Sequence, residues 1–333
     1  MLCSFYHSDS KIWYKVVIEN IAIPLLIHNF KSKKPMTNNP LIHIFGEVLF
    51  DHFRDGSRVP GGAPFNVAWH LQAFEQTNRF ISKIGDDLSG HEICVLMDAW
   101  GMNHKSVQKD DKHPTGSVRV IIKDGEPHYD IVTNSAYDFI DAALLEKKNT
   151  TGILYHGSLA IRNSVSLAAL QATKANHQGK VFIDVNLRQP WWKRETLLPL
   201  LHDADWVKLN EAELAELCTE GFFEDDGLEN TMQAFCAQFD VEMLVVTRGA
   251  KGAVAYHKQR HFITIKPPAN TTVIDTVGAG DAFSALLLLG LSKQWSIETT
   301  LDRAQTFACA LVGRRGATVA DKEFYHLFSE QWD

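Results

Sequence analysis

The strongest constraint on the fold is a pattern repeated through the second half of the chain: a short apolar run that stops on a polar residue, then a helical stretch. Lys180-Val181-Phe182-Ile183 runs into Asp184, Asp205-Trp206-Val207-Lys208-Leu209 into Asn210, and Met243-Leu244-Val245-Val246 into Thr247. Strands covered by helices on both faces need such continuous runs, and their alternation with helices marks successive βαβ units. The expected fold class is therefore α/β, a doubly wound, mainly parallel sheet flanked by helices. Ligands of such sheets sit beyond the carboxyl ends of the strands, where each polar motif here falls. The chain has 333 residues, 45% of them hydrophobic, enough for one large domain.

A second feature concerns chemistry. Asp275-Thr276-Val277-Gly278-Ala279-Gly280-Asp281-Ala282-Phe283 lies between a β-like run and a long apolar helix. Its small residues let the N–H groups of Gly278, Ala279, Gly280 and Asp281 point into one concavity, where the helix dipole also favours an anion. Asp281 opens the helix and is placed to accept a proton from an attacking hydroxyl, as phosphoryl transfer requires. The competing reading is an ordinary Asp N-cap after a glycine turn. The residue three after Gly280 is Phe283, which fails the dinucleotide fingerprint, and no Gly-x-x-x-x-Gly-Lys-Ser/Thr loop occurs.

Composition removes other classes. A net charge of −7 without a block of like charges argues against nucleic-acid or membrane-surface partners. Cys3, Cys94, Cys218, Cys236 and Cys309 are odd in number and form no Cys-x-x-Cys pair, which suits reduced thiols and a cytoplasmic protein. The histidines form no His-Glu-x-x-His or His/Cys cluster, so a transition metal has no support. Residues 1–39 differ in character: the run Ile21–Ile27 is broken by Pro24 and too short to span a bilayer, and signal-peptide features are lacking. They are expected to be an extension outside the fold. The biological start is expected at Met36, just before the strand-like Leu41-Ile42-His43-Ile44-Phe45.

Gly278–Asp281 resembles the C-terminal signature of the PfkB, or ribokinase-like, carbohydrate kinases, and Gly61-Gly62-Ala63-Pro64-Phe65-Asn66-Val67-Ala68 matches the N-terminal one. Asp184-Val185-Asn186-Leu187-Arg188, Asn210-Glu211-Ala212-Glu213 and Thr247-Arg248-Gly249-Ala250-Lys251-Gly252 follow the family's order. The resemblance covers about residues 41–320, within a kinase domain expected at 40–333. The chain departs from the family at Ala285-Leu286, at Phe74-Glu75 where a Gly is usual, and at Arg248 in place of an aliphatic residue.

The resemblance implies an ATP-dependent kinase in which Asp281 is the general base and the Gly278–Asp281 backbone the anion hole. Asp51, Gly61, Gly62, Asn66 and Arg188 would bind the sugar; as alternatives, Asn66 is an N-cap and Asp51 a solvated strand end. Asn210, Thr247, Gly249, Gly252, Gly278 and Gly280 would bind ATP. Mg²⁺ would be held mainly by ATP and water, with Glu213 and Asp184 in its shell, although Asn210 and Glu213 also have the spacing of a helix-capping pair. Asp275 is the candidate neighbour of a K⁺ ion, or a residue that pins its turn. Adenine contacts at Ala308, Cys309 and Val312 are equally explained by an apolar helix face. Asp124-Gly125, between two β-rich runs, marks a hairpin. With the strand after Asp51 it resembles the family's lid, strands being expected at about 48–60 and 113–134, and the lid edges suit a homodimer. The Gly-Gly-Ala-Pro-x-Asn form most resembles fructokinases. Kinases for another ketose, for 2-keto-3-deoxygluconate or for a nucleoside are alternatives, as is a non-catalytic sugar-binding regulator. A sugar acid would call on a further cation, for which Arg162 is a candidate.

Overall fold

The structure is a computed structural model. It describes residues 39–333 except 124–125, 147, 219–226, 270 and 333, together with the backbone of three N-terminal strands. Asp124-Gly125 and Met36 therefore lie outside the described residues. The chain divides into units 1–34 and 35–333. In the first, β1 (Phe5–Ser8), β2 (Lys11–Ile18) and β3 (Ile21–Pro24) form an antiparallel meander.

The second unit runs β4 (Ile42–Phe45), β5 (Leu49–His52), β6 (Arg58–Gly61), α1 (Ala63–Ala73), β7 (Asn78–Gly85), α2 (Leu88–Trp100), β8 (Val107–Asp110), β9 (Gly116–Lys123), β10 (Glu126–Ile131) and β11 (Ile153–His156). It continues with α3 (Ser164–Ala175), β12 (Lys180–Asp184), α4 (Arg194–His202), β13 (Trp206–Asn210), α5 (Glu211–Leu217), α6 (Gly227–Phe239), β14 (Met243–Thr247), β15 (Ala253–His257) and β16 (Arg260–Ile265). Helices α7 (Ala279–Ser292), α8 (Ile297–Val312) and α9 (Lys322–Trp332) close the fold.

Nine strands make the main sheet in the order β16-β15-β14-β13-β12-β11-β4-β7-β8. Every neighbouring pair from β14 to β8 is parallel, and β15 and β16 add an antiparallel edge. This is the doubly wound α/β class the sequence pattern implies. The chain enters at β4, builds outward through β7 and β8, then returns to lay β11 on the other side of β4. That reversal opens a crevice past the carboxyl ends of β4 and β11.

Alternate strand residues feed two cores. Ile44, Tyr155, Phe182 and Val245 pack on one face, and Phe45, Leu154, Ile183 and Val246 on the other. On the first face α7 is apolar nearly all round, with Ala282–Gly290 buried, and packs against α1 and α8. The second sheet has the order β10-β9-β5-β6, with β5 and β9 parallel and the other pairs antiparallel. Its residues Leu49, Val118 and Ile131 form a third apolar cluster with Tyr137, Leu159 and Ala160.

Helix starts differ from the sequence expectation at two places. The N-cap of α1 is Gly62, with Pro64 in the first turn, so Asn66 lies inside the helix rather than capping it. The N-cap of α7 is Gly278, so Asp281 is in the first turn and neither opens nor caps the helix. In both cases a left-handed glycine followed by small or proline residues starts the helix earlier than the polar residue. Glu75, just after α1, takes φ of 56°.

Candidate active site

A cavity of about 410 Å³ lies past the carboxyl ends of β4, β12, β13 and β14, between the first turn of α7 and the inner face of the small sheet. Asp51, Gly62, Asn66, Asp184, Arg188, Asn210, Glu213, Thr247, Gly278, Gly280 and Asp281 line it. All of them but Asp51 are drawn from five separate motifs. Gly61, Ala279, Gly249, Gly252 and Asp275 do not line it. Gly61 lies against the Asp51 carboxylate, Gly252 is buried against the Ile265 carbonyl, and Gly249 is exposed.

The centre is Asp281. Asn66 donates its Nδ2–H to Asp281 Oδ2 at 2.8 Å, joining α1 to α7. Burial raises the Asp281 pKa; the Asn66 bond opposes that, and the neighbouring Asp184 charge adds to it. The residue before the helix, Gly278, has φ of 79°, and a Cβ there would lie 2.4 Å from Ala317 Cα. Only glycine fits so close to that backbone. Of the amides expected in the anion hole, Ala279 N–H is engaged by the Thr276 carbonyl at 3.3 Å. The concavity is left to Gly278, Gly280 and Asp281, whose N–H groups have no intrahelical acceptors.

Asp184, expected near the Mg²⁺ shell, has both its oxygens bonded within the protein. Lys208 Nζ donates to both its oxygens, at 3.1 and 3.0 Å, and Ser284 Oγ donates to Oδ2 at 2.6 Å. Lys208 also reaches the Gly280 carbonyl at 3.3 Å, which ties this ion pair to the start of α7. Asn210 and Glu213 form a capping box: Asn210 Oδ1 accepts from Glu213 N–H, and Glu213 Oε2 from Asn210 N–H, both at 2.9 Å. The other oxygen, Glu213 Oε1, accepts from Leu187 N–H at 2.7 Å and so fixes the loop that carries Asn186 and Arg188. Asp275 pins its turn, accepting from Val277 N–H and Gly316 N–H at 3.0 Å each. Among the described residues no group of three or more His, Cys, Asp or Glu side chains could hold a metal ion.

Arg162 does not line the cavity, and its guanidinium is held by Asp138 at 2.7 and 2.8 Å and by the Val132 carbonyl. It is not placed to meet the carboxylate of a sugar acid. Sequence reasoning gave no role to two residues here. Lys208 carried a readable signal, a cation inside an otherwise apolar strand. Glu47, two residues past β4 and only 3% exposed, lines the cavity; a carboxylate one glycine beyond a strand-like run is its one sign.

A family model described as pfkB family carbohydrate kinase matches residues 38–323. The chain belongs to the pfkB family of carbohydrate kinases. It is 30% identical over 301 residues to the fructokinase of Escherichia coli, a match covering 84% of this chain and 95% of that protein. It is also 30% identical over 287 residues to fructokinase-2 of Zea mays, with coverages of 78% and 82%. Among solved structures, a double mutant of the fructokinase from Vibrio cholerae O395, bound to fructose, ADP and potassium ion, matches with a TM-score of 0.74. That match has 26% identity and covers 87% of this chain and 99% of the other. An ATP-bound fructokinase from Xylella fastidiosa, at 22% identity and a TM-score of 0.73, shares the fold.

Proposed function

We propose that the chain transfers the γ-phosphoryl group of ATP to fructose, giving fructose 6-phosphate and ADP. The observation that carries this reading is the Asp281 carboxylate, bonded by Asn66 at 2.8 Å in a cavity that also holds the Gly280 and Asp281 end of a helix. In the proposed reaction the sugar hydroxyl oxygen forms a bond to the γ-phosphorus as the bond to the bridging oxygen breaks. Asp281 takes the hydroxyl proton, ADP leaves, and the charge on the migrating group lies against the first-turn amides. Asn66 orients the base. Asp51, Asn66, Gly62 and Arg188 bind the sugar, Gly61 backs Asp51, and the nucleotide lies toward Asn210 and Thr247, with Gly249 and Gly252 beyond the cavity on its side.

The donors fit a magnesium ion that arrives with the triphosphate. The oxygens of Asp184 and Glu213 are already bonded within the protein, so these residues would act on it through water. Bound Mg²⁺ supplies neutralisation of phosphate charge. Potassium enters the proposal because the Vibrio cholerae protein was solved with it. The turn pinned by Asp275 is its candidate neighbour. We also propose that residues 40–333 are the kinase domain, with the small sheet as a lid whose edges pair two copies, and that the protein works in the cytosol. Among the described residues no helix is long and apolar enough to cross a membrane.

ADP production from MgATP across fructose, ribose, glucose, 2-keto-3-deoxygluconate and adenosine, with and without K⁺, tests the reading. A fructose preference supports it. A different preferred sugar replaces the substrate and keeps the chemistry, whereas sugar binding without turnover would leave a binding protein.

A further inference from the structure

We propose that Glu47 is a specificity residue of the sugar site, its Oε2 hydrogen-bonded to one hydroxyl of the bound sugar from beneath the Gly61-Gly62 turn. This rests on the sugar-kinase reading above.

Glu47 follows β4, the strand at which the sheet reverses its winding, and so stands at the crevice where doubly wound sheets bind ligands. The turn closes over it: a Cβ on Gly62 would lie 2.7 Å from the Glu47 carbonyl oxygen and 3.3 Å from its Cγ. Three other carboxylates in the cavity have protein donors. Asp184 takes Lys208 and Ser284, Glu213 takes two backbone amides, and Asp281 takes Asn66. Glu47 differs from these three: it is 3% exposed, lines the cavity, and its Oε2 has no hydrogen-bond partner. Leaving a buried acceptor unmatched is costly, and folded proteins rarely do so without a ligand or water to complete it.

The charged and titratable groups facing it are Arg188, Asp281 and Arg162, with Tyr137 and Tyr155. Asp138 holds Arg162, and Arg188 is exposed at the rim, so neither cation closes on Glu47. Burial pushes its pKa up to about 7. Both of its protonation states can bond a hydroxyl, which donates as well as accepts. The sugar-side residues Asp51, Gly62, Asn66 and Arg188 line the same cavity, which makes a polyol hydroxyl the matching ligand group.

The test is a cycle between Glu47→Ala and a series of monodeoxy analogues of the sugar that the wild type prefers, with KM for MgATP followed alongside. We expect KM for the sugar to rise roughly tenfold to a hundredfold, with KM for MgATP unchanged. The one analogue lacking the partnered hydroxyl should lose nothing further in the variant. If every analogue keeps the same penalty in variant and wild type, Glu47 is structural and the proposal falls. Should Glu47→Ala fail to fold, Glu47→Leu, which fills the space without offering a donor or acceptor, serves in the same cycle and is read in the same way. Wild-type turnover is measured first. With turnover present, an unchanged deoxy pattern removes Glu47 alone; without turnover on any sugar, the functional reading and this proposal both fall.

Discussion

Asp281 can serve as a base only while ionised, and its surroundings make ionisation harder. Burial raises its pKa, Asp184 adds to the rise, and the Asn66 hydrogen bond works in the other direction. Protonation therefore removes the base at a higher pH than for an ordinary aspartate, and kcat should fall on the acid side from that point. Replacing Asn66 with Ala deletes the opposing bond, so the acid limb of kcat should move further toward neutral pH, which a pH–rate profile reads directly. Asp281→Asn keeps the shape and removes the base: turnover should drop by roughly 10²–10⁴-fold, with sugar binding by calorimetry retained. A variant that turns over as fast as wild type would remove Asp281 from this role.

At the level of elements, the start of α7 depends on one backbone conformation. Gly278→Ala should cost roughly 2–4 kcal/mol, a left-handed alanine plus its overlap with Ala317, and should lower kcat along with the melting temperature. Gly316 has φ of 90° but open space around its Cβ position, so Gly316→Ala should cost only about 1 kcal/mol. Equal melting points for the two variants would show that the contact with Ala317 does not matter. Strand ends were the legible part of this molecule. Asp184, Asn210 and Thr247 could be placed from sequence because a parallel strand buried on both faces leaves an unmistakable apolar run, and the polar residue that stops it must lie at the ligand side. Helix starts were less legible, since Asn66 and Asp281 look like caps until a glycine with positive φ is seen to begin the helix before them. Side-chain pairing was least legible. That Lys208 answers Asp184, or that Glu213 holds the amide of Leu187, depends on which strands become neighbours, and no local spacing records it.

On the scale of the whole molecule, the cavity carries an electrostatic cost. The pKa values of Glu47 and Asp51 are pushed up from 4.5 and 3.8 to about 7 and about 6, in each case mainly by burial. These two groups bind more protons in the folded than in the unfolded chain between about pH 4 and 7 and so lower stability as pH rises through that window, whereas the buried His43, His70 and His156, whose pKa values burial lowers to about 4, 4 and 3, raise it. Glu47 alone contributes on the order of 3 kcal/mol to that fall. Denaturant unfolding of the ligand-free protein and of Glu47→Gln at pH 5 and 7.5 isolates the Glu47 part: the variant should gain stability relative to wild type on going from pH 5 to 7.5, and an identical pH dependence of the two would contradict the assignment. The hydrogen bond between Asn66 and Asp281 spans 215 positions of chain. During synthesis the sugar-side helix emerges long before its catalytic partner, and a chain released early would present half a pocket with no base. Under the proposed reaction, chemistry is thereby tied to completion: a truncated product ending before α7 would lack the base.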